Sequence, residues 1–340
     1  MKKIMAVMLA VLMLVSVTAC GSGSNGSSKS GETVVLRVNG QQNDDHQTTK
    51  ALYRIAEKIE EETNGGLKLD IYTDSVLGDY TTMFEECSMG TVDITLQVLP
   101  GNYDQRLEMV YIPYLFTNYE EARQVFSEGS NTYSIYEKVI EEKNMKPMGI
   151  FVEGFVQIAT VKEEPNMLDP KASKSLLLRV PAIETNRLIV DCQGFPTVTI
   201  SYSDLYTAMQ TGVCDGWLGG TAELNYVGFR DVIKYLYPVN CLMENNVALI
   251  NQDTWNSLSE EYQEVLYNAF TEEALLSFDR AEANDEENMQ KLKEHGVEIV
   301  DISDEQLSVI VDHVRDNTWD TVFETLGEDI KKAVYADMGW

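Results

Sequence analysis

The chain has 340 residues, 44% hydrophobic and 9% aromatic, which fits a folded globular protein larger than one compact core usually holds; two lobes are expected. The formal charge of −29, from 55 acidic against 26 basic residues, excludes nucleic acid as a partner, because nucleic-acid binders need a basic face. The acidic excess reads as a solvated surface that aids solubility.

Residues 1–20 read as a targeting segment. Lys2 and Lys3 give it a positive start, and residues 4–17 form an apolar stretch too short to span a bilayer as a mature helix. Val17-Thr18-Ala19-Cys20 looks like a bacterial lipobox, in which Cys20 becomes the lipid-modified first residue; the alternative is an ordinary signal peptide with a coincidental cysteine. Residues 21–33, rich in Gly and Ser, make a flexible tether. The G-x-G-x-x-G spelled by residues 21–26 has no strand before it and no helix after it, so it is spurious.

Strands are expected at 34–38, 67–72 and 92–98, with helices at 48–63 and 80–89 between them. Leu52, Ile55, Ala56 and Ile59 carry the helical period, and Asn64-Gly65-Gly66 and Gly90 are the stops. This alternation implies a parallel sheet with right-handed crossovers. Ligands of such sheets sit beyond the carboxyl ends of the strands, so Gln97 and the residues after it are candidates for a pocket wall. Helices at 118–127 and 133–143 follow, then strands at 147–151 and 156–161, joined by Glu153-Gly154-Phe155 where a lobe boundary would suit.

Leu176-Leu177-Leu178 is an unbroken apolar run of the kind that is buried on both faces of a sheet, and Arg179 follows it. An arginine cannot shed its charge, so it needs a fixed anion there, either a protein carboxylate or a ligand carboxylate. A helix is expected at 185–193, and another capped by Ser203 with Asp204 in its first turn and Gly212 as its stop. Val213 and Cys214 then lead into a buried strand. Residues 254–295 lack Gly and Pro and read as one long helix or two, starting at Ser259 and spanning about 60 Å. A short strand at 297–300 and further helices close the chain, with no transmembrane span in the mature part.

No enzyme signature stands out. Cys87, Cys192, Cys214 and Cys241 form no C-x-x-C pair and read as mostly buried thiols. His46, His295 and His313 are scattered and suggest no zinc site, and neither G-x-S-x-G nor H-E-x-x-H occurs. Glu85-Glu86 and Glu120-Glu121 lie in charge-rich helical segments and read as solvated faces rather than a catalytic dyad. No metal, no cofactor and no catalysis are expected.

Across nearly the whole mature chain, EETNGGLKLDIYTDSVLG, MGTVDI, IPYLFTNYEEA, LLLRVPA and SYSDLYTAMQTGVCDG follow one another in the order of a known family. The chain resembles an extracytoplasmic solute receptor of the TRAP type, similar to the dicarboxylate- and sialate-binding proteins. The resemblance implies an α/β fold of two lobes like that of periplasmic binding proteins, with mixed sheets, hinge strands and a long helix bracing both lobes. The lobes would be residues 34–156 with 245–284, and 157–244 with 285–340. It also implies closure on a small organic acid and delivery to TRAP membrane permease subunits driven by an ion gradient. The lipid anchor would hold the receptor on the outer face of the cell membrane.

In the family, the arginine of a K-x-R-V-P motif grips the ligand carboxylate, and Arg179 stands at that position. A planar guanidinium fork matches a carboxylate's two oxygens. His46, in the loop after the first strand, falls at a pocket-facing place of the family. Two departures stand beside these likenesses. Gly154-Phe155-Val156 carries a valine where members commonly have a second arginine, and Gly219 replaces a ligand-facing asparagine. With Trp217 close by, a monocarboxylate with an apolar or bulky remainder is expected, rather than sialate or succinate. Tyr202 and Phe155 are further candidates for the pocket, and Glu153 or Glu184 for a ligand amine. Three alternatives stay open: a receptor for an ATP-driven importer, a receptor working with a sensor kinase, and a secreted hydrolase, the last disfavoured by the lack of a nucleophile–base pair.

Overall fold

The structure, a computed structural model, describes residues 33–340, so the targeting segment, Cys20 and nearly all of the tether lie outside the described residues. From the start the chain alternates as its periodicity predicts: β1 (Val34–Gly40), α1 (Gln47–Glu62), β2 (Leu67–Tyr72), α2 (Tyr80–Ser88) and β3 (Ile94–Gln97). β1 pairs in parallel with both β2 and β3. After a 3-10 turn at Gln105–Tyr111 come α3 (Tyr119–Phe126), α4 (Asn131–Glu141) and β4 (Met145–Phe155). β4 runs straight through the Glu153-Gly154-Phe155 segment that the sequence suggests as a joint. Gly154 permits this, because its φ of 130° suits only glycine and a Cβ there would lie 2.8 Å from Asp285 Oδ1.

The second half supplies β5 (Gln157–Thr160), β6 (Leu178–Val180), α5 (Glu184–Asp191), β7 (Thr197–Thr199), α6 (Tyr202–Thr211) and β8 (Gly216–Gly220). After the single turn α7 (Ala222–Leu224) and a π-helical turn at Asn225–Phe229 come β9 (Tyr235–Tyr237), β10 (Met243–Asn251), α8 (Gln252–Ser257) and α9 (Glu260–His295). β11 (Glu298–Ile299), α10 (Asp304–Leu326) and α11 (Glu328–Met338) end the chain. Two local expectations shift. The N-cap of α6 is Ser201, with Ser203 already in its first turn, and the strand expected at Val213 starts at Gly216, leaving Val213 exposed.

The strands form two sheets, ordered β2-β1-β3-β10-β4 and β11-β9-β5-β8-β6-β7. The chain crosses from the first to the second between β4 and β5 and returns into β10, which pairs antiparallel with β3 and β4. The two crossings hold each other: Val156 N donates to Leu242 O at 2.8 Å and Cys241 N to Val156 O at 3.1 Å. Two adjacent extended crossings between packed sheets are the form a hinge takes.

α9 has 36 residues, about 54 Å of helix. Ser259 caps it through Tyr262 N, and Gly296, at φ 101°, ends it. Leu266, Ala269, Phe270 and Ala274 enter the core of the first sheet, while Leu292 enters that of the second, so one rigid element braces both. α10 and α11 fold back over the helices of the first half. Asp337 accepts hydrogen bonds from Asn131 N and Thr132 N at the start of α4, and Trp319 Nε1 donates to Pro113 O at 2.8 Å. No helix of the described residues is long and apolar enough to cross a membrane.

Candidate functional site

Arg179 sits mid-way along β6, in register with Val198 of β7 and Trp217 of β8. Parallel register turns the Arg179 and Trp217 side chains to the same face, toward the gap between the sheets. Five of the residues singled out by sequence meet there: Arg179, Trp217, Gly219, Tyr202 and Glu153 line one pocket. Gln41, Gln42, Tyr80 and Glu244 complete its polar lining, with Val98, Ile183 and Leu224 on the apolar side.

Arg179 is 2% exposed. Its Nε donates to Ile200 O at 2.8 Å, and among the described residues the guanidinium forms no ion pair with an Asp or Glu. Burial pulls its pKa down, while Tyr80, Tyr202, Asp79 and Glu244 oppose that more weakly. The main-chain bond fixes the fork's direction and leaves its two terminal nitrogens toward the cavity. Of the two anions that the buried charge allowed, a protein carboxylate is absent at contact distance among the described residues.

Trp217, 1% exposed, packs against Phe229 with ring centroids 4.6 Å apart and donates Nε1–H to Asn225 Oδ1 at 3.2 Å. The glycines after it make room for this ring. At Gly220 a Cβ would lie 2.3 Å from Trp217 Cζ2. Gly219 has φ 135°, and its Cβ would lie 3.4 Å from the same ring and 3.7 Å from Arg179 Nη1. The departure from asparagine at this position thus has a local cause: at this φ any side chain strains the backbone.

Glu153 is buried at the back of the cavity. It accepts hydrogen bonds from Thr48 Oγ1 at 3.0 Å, from Gln42 Nε2 at 3.2 Å and from Asn246 Nδ2. Burial pushes its pKa up to about 8 against the pull of those donors. Tyr202 donates to Gln42 Oε1 at 3.1 Å, so Gln42 links Glu153 of the first sheet to α6 of the second half.

The remaining candidates lie elsewhere. Gln97 turns away from the cavity, donating to Tyr80 O and accepting from Thr95 Oγ1, both at 2.6 Å. Phe155 packs edge-on to Tyr119 at 5.3 Å. His46 caps α1 by accepting from Thr48 N, and burial holds its pKa down at about 3, so it is neutral. It lines a separate small cavity behind Glu153. Glu184 lies in an open groove beside the main cavity, in contact with Arg187. Gln41 and Gln42 follow β1 directly, and the rule that ligands sit beyond strand ends would have flagged them. Tyr80 and Glu244 carried no such signal; a helix start and a strand become pocket walls only through the packing of the two sheets.

Hydrogen bonds also cross between the halves around the cavity. Ala182 N donates to Tyr80 Oη at 2.9 Å, and Gln47 N to Glu223 Oε1 at 3.0 Å. Glu184 N and Thr185 N, at the start of α5, each donate to Glu108 at 2.8 Å. A carboxylate at a helix start satisfies otherwise orphaned donors and complements the dipole.

Residues 38–325 match the model of the bacterial extracellular solute-binding protein family 7. The sialic acid-binding periplasmic protein SiaP of Vibrio cholerae is 24% identical over 217 residues, covering 63% of this chain and 66% of that protein's own length. Among solved structures, a TRAP periplasmic solute-binding protein of Haemophilus influenzae with bound L-gulonate has a TM-score of 0.81 at 22% identity, covering 90% of this chain and 99% of that one. The sugar acid-binding protein DctPAm of Advenella mimigardefordensis, in complex with galactonate, has a TM-score of 0.83 at 20% identity, with 91% and 98% covered. A succinate-bound TRAP protein of Shewanella oneidensis gives 0.82 at 19%, with 90% and 100% covered. The two-lobed α/β fold of periplasmic binding proteins is therefore the fold of this chain, and the chain belongs to the bacterial extracellular solute-binding protein family 7, the TRAP-type solute receptors.

Proposed function

We propose that this protein closes its two lobes on a small organic acid, holds the acid's carboxylate on the Arg179 fork, and hands it to TRAP permease subunits in the membrane. One observation carries the reading: a buried guanidinium with no protein carboxylate beside it, pointing into a cavity between two hinged sheets. A bidentate carboxylate would supply the missing anion, and closure would strengthen the pair by keeping water away. The apolar wall of Val98, Ile183, Leu224 and Trp217 suits a monocarboxylate. We take β4, β10 and α9 as the shared frame on which residues 34–156 with 245–284 move against 157–244 with 285–340. Residues 1–20 and Cys20 are assigned to export and lipid anchoring on the outer face of the cell membrane.

The test is mass spectrometry of small molecules that co-purify with the protein, then calorimetric titration of the identified acid into wild type and Arg179→Lys. Lysine keeps the charge but loses the fork, so affinity should fall at least about tenfold. An uncharged ligand, or an acid bound equally by both proteins, sinks the reading. Loss of the untreated ligand with appearance of product would point to a hydrolase instead.

A further inference from the structure

The ligand cavity holds a second ionisable side chain with no side-chain partner among the described residues. Glu244, on β10, is 5% exposed and lines the cavity together with Arg179. Among the described residues its carboxyl makes no side-chain hydrogen bond and no ion pair, and it is not paired with Arg179 either. Glu153, the other carboxyl of the cavity, is different: Thr48, Gln42 and Asn246 all donate to it.

Counting charge in the cavity sharpens this contrast. Arg179 is the one cation of the lining, and a bound monocarboxylate neutralises it. Two carboxyls then remain, one of them with a single backbone donor, Asn245 N, and no side-chain donor among the described residues. Hydroxyl groups of a ligand have Gln41 and Tyr80 of the lining to meet them. What the lining lacks is a cation for Glu244.

We infer that the ligand is a small zwitterion, with its carboxylate on Arg179 and a primary or secondary ammonium group on Glu244. This rests on the proposed role of Arg179 and adds the second anchor. A buried carboxyl and a buried guanidinium that line one cavity without pairing with each other complement a molecule with the opposite charges at its two ends.

The charged and titratable groups facing Glu244 are Glu153 on β4, Arg179 on β6, Tyr80 on α2, Tyr111 in the 3-10 turn, Tyr202 on α6 and Cys241 before β10. Burial first, then Glu153, hold the Glu244 carboxyl well above the usual carboxylate range, with Arg179 acting the other way. The raised pKa favours the protonated carboxyl before binding. An ammonium ligand ionises it, and the proton leaves to solvent: Glu244–COOH plus the zwitterion gives Glu244–COO⁻ paired with the ammonium, plus one H⁺. Affinity for the zwitterion accordingly rises with pH until the ligand's own ammonium titrates.

The experiment titrates purified protein with matched acids that differ in one group: amino acids with the amine at carbon 2, 3 or 4, their hydroxy counterparts and the unsubstituted acids. The titrations are repeated in buffers of different ionisation enthalpy to count protons. The expected result is that amino members bind best, with net release of up to one proton. Glu244→Gln should bind them at least about 30-fold more weakly and release no proton. The proton count on wild type stands even if the variant folds poorly. Hydroxy or plain acids binding as tightly through Arg179 with no proton released would overturn the zwitterion and leave the proposed function intact. Indifference of every acid to Arg179→Lys would remove both.

Discussion

Replacing Arg179 with Met separates a ligand anchor from a structural ion pair, because the two make opposite demands on stability. If Arg179 were half of a buried protein ion pair, removing it would strand its partner at a cost of about 3–5 kcal/mol. The structure gives it one main-chain hydrogen bond, to Ile200 O, and no carboxylate. Losing a charged hydrogen bond costs about 1.5–3 kcal/mol, and relief of the guanidinium's burial offsets several kcal/mol in the other direction. The expected net change without ligand is within about 2 kcal/mol of wild type, or roughly 4 °C in Tm for a chain of this size. With ligand at 100 times its Kd, wild type should gain about 2.7 kcal/mol, whereas Arg179→Met should gain nothing. Thermal melting with and without the co-purified acid measures both quantities. A drop of 3–5 kcal/mol in the ligand-free variant, or a surviving ligand shift, would refute the reasoning.

Three other outcomes follow from the contacts described. Glu108→Ala removes the acceptor for Glu184 N and Thr185 N, which cross between the halves; affinity should fall about tenfold or more, mostly through faster dissociation, as stopped-flow would show. Gly219→Ala puts a Cβ at φ 135° against the Trp217 ring, so denaturant titration should show a loss of about 1–3 kcal/mol; an unchanged midpoint would contradict the strain argument. Glu153 and Glu223 have pKa values raised by burial, to about 8 and about 7, so the folded state keeps protons that the unfolded chain has lost. Their contribution to stability is therefore full below the unfolded carboxylate pKa and is lost as pH rises from about 5 to about 8, by at most about 1.4 kcal/mol per pH unit for each group. A Tm that climbs across that range would be inconsistent with both groups being buried as described.

The local grammar of the chain was readable because single turns carry it. The alternation of β1, α1, β2, α2 and β3, the Gly212 and Gly296 stops and the Ser259 cap all depend on neighbours a few residues away. Expectations failed where a residue answers to distant parts of the chain. Gln97 lies at a strand end as expected, yet Tyr80 O and Thr95 draw its amide away from the cavity. Phe155 sits at the crossing strand, but the Tyr119 ring takes it. Glu153 ended in the cavity because β4 runs on through Gly154, which a glycine in a polar-looking joint did not suggest.

By itself the sequence determined that a charge would be buried: Leu176 to Leu178 demand a sheet interior, and Arg179 cannot give up its proton. It left open which anion would answer that charge. Only the packing of the two sheets shows that, among the described residues, no carboxylate pairs with the fork. Glu244 is the reverse case. Its strand and burial are ordinary in sequence, and its meaning comes from β10 carrying it into the lining that Arg179 shares, 65 positions away in the chain. Periodicity reaches a few residues along the chain, whereas charge complementarity across a cavity depends on which distant strands meet.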